Sequence, residues 1–96
     1  MADYTVGEDE VAVHNKTLVA SAVDTVTFFD ALEAIEVISD GAAKIYVTTD
    51  GSAPTVAGAN TRVIPATICA RVIRMSSGKS VKLISSGSPT YSIERA

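Results

Sequence analysis

The stretch that decides the fold runs from Ala34 to Thr55, AIEVISDGAAKIYVTTDGSAPT. Ala34 to Ser39 alternates, with Ile35 and Val37 on one side and Glu36 and Ile38 on the other. That is the two-residue period of a strand. Asp40-Gly41-Ala42 interrupts it, and an Asp-Gly pair between alternating segments is a strong hairpin signal. Lys44 to Thr49 resumes the alternation, with Ile45 and Val47 inward. Asp50 to Thr55 is a longer turn that contains both Gly51 and Pro54. The segment 34–49 therefore predicts an antiparallel hairpin.

Toward the N-terminus, the same reading gives strands at Thr25 to Phe29, Thr17 to Ala22 and Glu10 to His14. Asp30 to Ala34 is a loop or a single helical turn, because five residues cannot sustain a helix alone. Residues 1–9 are polar and acidic and read as an extended arm. Toward the C-terminus, strands are expected at Thr61 to Ile64, Ile68 to Met75, Ser80 to Ile84 and Thr90 to Glu94. Pro65-Ala66-Thr67, Ser76-Ser77-Gly78-Lys79 and Ser85 to Pro89 separate them, and 80–94 reads as a second hairpin. About eight short strands, with a turn signal every 8–12 residues or so, make a sandwich. The expected fold is a single-domain antiparallel β-sandwich, immunoglobulin-like or jelly-roll-like. Residues 1–16 form its arm and first strand, and 17–96 its body.

Composition agrees. Twelve Val, eight Ile and ten Thr against three Leu make 30 of the 96 residues β-branched, which suits a pleated surface and penalises helix. A chain of 10.0 kDa builds one domain. No uninterrupted apolar run exceeds three residues, whereas a membrane span needs about 20, so no membrane partner is expected.

Charge is divided along the chain. Residues 1–50 hold ten acidic and two basic side chains, a balance of −8; residues 51–96 hold one and six, a balance of +5. If the halves occupy different faces, the molecule suits head-to-tail contacts. Sandwich topology usually interleaves the halves, and mixing of the charges is the expectation.

Catalytic material is scarce. His14 and Cys69 are the only histidine and thiol. Cys69 lies in the apolar run Thr67-Ile68-Cys69-Ala70 and reads as a packed core thiol rather than an activated nucleophile. Glu33 and Glu36 point to opposite faces if the segment is a strand, so they make no acid–base pair. A single thiol and a single imidazole exclude thiolate metal centres, and no Gly-rich phosphate cradle is present. No cofactor is expected. A pI of about 4.9 and scattered basic residues argue against nucleic acid. Met1 to Glu10 lacks the basic start and apolar stretch of an export signal, so synthesis in the cytoplasm is expected.

The run Ile45 to Thr55, with its strand and TDGS-x-PT turn, resembles small immunoglobulin-like sandwich modules, including those attached to carbohydrate-active enzymes. Together with Asn60 to Ala66 and Val81 to Ile93, it looks more like small tailed-bacteriophage virion proteins of the head-decoration and minor tail classes. The resemblance covers roughly residues 34–94. It implies a non-enzymatic capsid decoration protein, localised to the virion, that binds the major capsid protein and self-associates, with a trimer one option. Its alternatives are a tail or head–tail component, and a carbohydrate-binding or adhesion module using Tyr46 and Tyr91 as a platform. The expected contact residues are Asp3, Glu8, Asp9 and Glu10 on the arm, and Arg71, Arg74, Lys79 and Lys82 among the basic residues.

Overall fold

The computed structural model describes residues 2–75 and 78–96; the turn expected at Ser76-Ser77 lies outside them. Nine strands and no helix occur among the described residues. They are β1 (Asp3–Val6), β2 (Ala12–Thr17), β3 (Asp24–Phe28), β4 (Ala34–Ser39), β5 (Ile45–Thr48), β6 (Arg62–Ile64), β7 (Ala70–Arg74), β8 (Ser80–Ile84) and β9 (Thr90–Arg95). Two sheets face each other, a five-stranded one in the order β1-β3-β8-β5-β6 and a four-stranded one in the order β2-β9-β4-β7. Pairing is antiparallel except between β1 and β3, which run parallel. The fold is a β-sandwich, as expected.

Three expectations need correction. The N-terminal arm is absent: residues 3–6 form β1, where Val6 is fully buried and Tyr4 packs against the core. Tyr4 and Val6 alternate with Asp3 and Thr5, so this short segment has an apolar face worth burying. No strand covers residues 17–22 beyond Thr17. Leu18 alone of that run is buried, Val19 is exposed, and Ser21 sits at φ +60°, which breaks extended geometry. Neither hairpin forms. β4 and β5 lie in different sheets, as do β8 and β9, so residues 40–44 and 85–89 are corners that cross the sandwich.

The reason is burial. β4 hides Ile35 and Val37, β5 hides Ile45 and Val47, and all four point into one shared core with Val26, Phe28, Leu83 and Ile93. Strands that each present one apolar face are best covered by an opposite layer. Both Asp-Gly turns serve as tight bends: Asp40 Oδ1 accepts from the Ala42 N–H at 3.0 Å, and Gly41 takes φ +81°, which glycine adopts freely. The two crossing corners are tied together. Ser85, fully buried, donates its hydroxyl to the Lys44 carbonyl at 2.6 Å and accepts from the Gly87 N–H at 3.2 Å.

One polar link passes through the core. Tyr91 of β9 donates to Asp24 of β3 at 2.9 Å, and the other Asp24 oxygen accepts from the Ala2 N–H at 3.2 Å. It joins the two sheets and anchors the chain just ahead of β1.

Candidate functional site

The sheet orders fix which residues meet at the lateral edges. β1 and β2 are the outermost strands on one side, and β6 and β7 on the other. At about 4.8 Å between strands, the two edges stand roughly 14 Å apart in the smaller sheet and 19 Å in the larger.

The β1–β2 edge is acidic. Asp3 is exposed on β1, and Glu8, Asp9 and Glu10 form the turn into β2. Glu10 closes that turn: its Oε1 accepts from the Gly7 N–H at 2.8 Å, and its own N–H donates to the Gly7 carbonyl at 3.1 Å. Glu8 and Asp9 project from the tip with no ion pair among the described residues. The expected solvated arm is thus a fixed turn that holds two carboxylates outward. Val11, 63% exposed, sits directly beside it.

The β6–β7 edge is basic. Arg71 and Arg74 stand on opposite faces of β7, both exposed. Arg71 Nη1 donates to the Val63 carbonyl at 2.8 Å, so its guanidinium bridges from one sheet to the other. That position brings it beside Arg62 of β6, and the two line an open cleft of about 330 Å³ with Ala59, Asn60 and Thr61. Asn60 and Thr61 spend donors on the loop itself, to Ser52 Oγ at 2.7 Å and the Gly58 carbonyl at 2.7 Å. Asp50, the carboxylate in the same loop, is held by Ser52 through its N–H at 3.0 Å and its hydroxyl at 2.6 Å. Those bonds favour the ionised form and lower its pKa. Val72 and Ile68, exposed by 57% and 61%, add apolar surface to this edge.

The remaining expected contact residues lie elsewhere. Lys79, in the loop before β8, adds a minor attraction to Asp30, whose carboxyl is held below its usual range chiefly by Arg95. Lys82 is on the outer face of the five-stranded sheet, in one row with Asp3, Thr25 and Thr48. Arg62 was not among the expected residues. The signal for it was the Pro65-Ala66-Thr67 turn, which folds Arg62 and Arg71 back toward each other.

Strands from the two halves of the chain do interleave within each sheet, yet the outermost strands escape the mixing, so acidic and basic edges face opposite ways. Two further expectations fall. Cys69 is exposed rather than packed, and it flanks β7, whereas His14 is on β2 at the far edge of the same sheet. Tyr46 and Tyr91 form no platform, because they belong to different sheets and Tyr91 is 1% exposed. On the outer face of the four-stranded sheet, Glu36 and Glu94 stand directly opposite, and the neighbouring carboxyl raises the pKa of Glu36.

Compared with known protein families, curated proteins and solved structures, the chain matches none.

Proposed function

We propose that this protein is a non-enzymatic structural subunit of a virion, a decoration protein that attaches to the capsid lattice and stabilises it through protein–protein contacts. The observation that carries the reading is the separation of charge onto opposite edges of a rigid sandwich, each edge with exposed apolar side chains beside its charges. Such a body presents complementary surfaces without moving parts, which is what a lattice contact needs.

Magnitudes fit. A standard interface uses about 800 Å² on each partner. That is about one-sixth of the 4927 Å² surface, so a body of 31 × 25 × 23 Å has room for contacts at both edges at once. Contacts repeated over a lattice add through effective concentration, and attachment becomes far stronger than any single edge provides.

Electron microscopy of tailed-phage particles from the source of this chain, labelled with antibody against it, tests the reading. Label over the head supports decoration. Label confined to the tail or neck favours a tail or head–tail component, and particles without label overturn the virion role.

A further inference from the structure

The cleft between β6 and β7 brings two guanidinium groups to one opening. Arg62 and Arg71 line it, and the described residues place no carboxylate against either side chain; the single ion pair among them is Arg95 with Asp30. Arg71 is not free to swing away, because Nη1 is committed to the Val63 carbonyl. Its other N–H groups remain for a ligand, and the planar fork of a guanidinium matches the two oxygens of a carboxylate. Two forks at one opening, one of them fixed, suit a ligand with two carboxylates a few ångströms apart.

The same molecule displays that ligand on its opposite edge. The Glu8-Asp9 tip presents two adjacent carboxylates, exposed and unpaired among the described residues, on a turn held by two hydrogen bonds between Gly7 and Glu10. Its rigidity reduces the ordering cost of binding. Since cleft and tip point away from each other, one chain cannot fill its own cleft; a second copy can. We infer that the Arg62–Arg71 cleft is a carboxylate-binding site whose occupant is the Glu8-Asp9 turn of another copy of this chain. The contact is heterologous, head to tail, with Val11 of one copy brought toward Ile68 and Val72 of the next. Head-to-tail contacts close into a ring when the rotation between neighbours permits and otherwise extend as a filament. The inference deepens the contact-protein reading above, on which it rests, by naming one partner.

Charge exchange tests it. One variant carries Glu8→Lys and Asp9→Lys, the other Arg62→Glu and Arg71→Glu. Sedimentation velocity at low salt is expected to show association of the wild type. Each variant alone should associate at least about tenfold more weakly, and an equimolar mixture should regain association, because each reversed edge then meets its complement. Arg71→Glu removes the bond to Val63, so Arg62→Glu alone serves as the second partner where the double variant does not fold. Folded variants whose mixture remains monomeric, or variants that associate as the wild type does, overturn the inference. So does a wild type that stays monomeric. Lattice labelling reports on the virion role independently, so the two readings fail separately.

Discussion

Tyr91 and Asp24 meet across the core, hydroxyl to carboxylate at 2.9 Å, and this bond is a buried polar fastening between the two sheets. Both residues are 1% exposed. Asp24 accepts from Tyr91 on one oxygen and from the Ala2 N–H on the other. Removing the phenolic hydroxyl with Tyr91→Phe leaves a buried carboxylate oxygen without that donor. The expected loss is about 1–3 kcal/mol, read from the denaturant midpoint at unchanged slope.

Alkali should expose the same link. Burial, together with the Asp24 carboxylate, pushes the Tyr91 hydroxyl well above its ordinary range. The folded chain therefore holds this proton more tightly than the unfolded chain does. The associated stability is fully present below about pH 10, the ordinary tyrosine value, and is lost as pH rises beyond it. Unfolding midpoints measured across that range should fall more steeply for the wild type than for Tyr91→Phe. Parallel curves would remove Tyr91 as the cause.

The tie between the crossing corners gives a second stability test. Ser85→Ala leaves the Lys44 carbonyl without its 2.6 Å donor and the Gly87 N–H without its acceptor, at a site where the Ser85 side chain is fully buried. We expect a loss of about 1–3 kcal/mol in chemical denaturation, although the substitution removes only one oxygen. A change within about 0.5 kcal/mol, typical of a surface position, would show that the corners hold without it.

Glu36 and Glu94 predict an effect of the opposite sign. Facing across β4 and β9, they raise the pKa of Glu36, so the folded state favours its protonated form. That contribution is full below the ordinary glutamate value of about 4.3 and is lost as pH rises through the folded value. At neutral pH the pair repels. Glu94→Gln should therefore raise the thermal midpoint at pH 7 and have less effect near pH 4. Equal shifts at both would mean that charge repulsion is not the cause.

The strand content was legible because alternation is a local property. Ala34 to Ser39 reads directly from Ile35 and Val37, and its bounds match β4. Sheet membership was not legible: a strand's period says which face is apolar, but not whether its neighbour lies beside it or across the core. An Asp-Gly bend fits either arrangement, and only the five-residue corners at 40–44 and 85–89 hinted at a crossing. At the N-terminus, the Tyr4/Val6 alternation was outweighed by the surrounding acids, although those acids are the turn and edge of a paired strand. Asp3, Glu8, Asp9, Glu10, Arg71 and Arg74 could be selected from the charge split. Their arrival on opposite edges depends on β1, β2, β6 and β7 being outermost, which no single segment encodes.

Binding of one copy to the next through the two charged edges is read directly from the mass in solution. Light scattering at about 10 mM salt and again near 1 M takes the screening length from roughly 30 Å to 3 Å. We expect an assembly larger than the 10.0 kDa chain at low salt that shifts toward the single chain at high salt. A mass of 10.0 kDa under both conditions would contradict it.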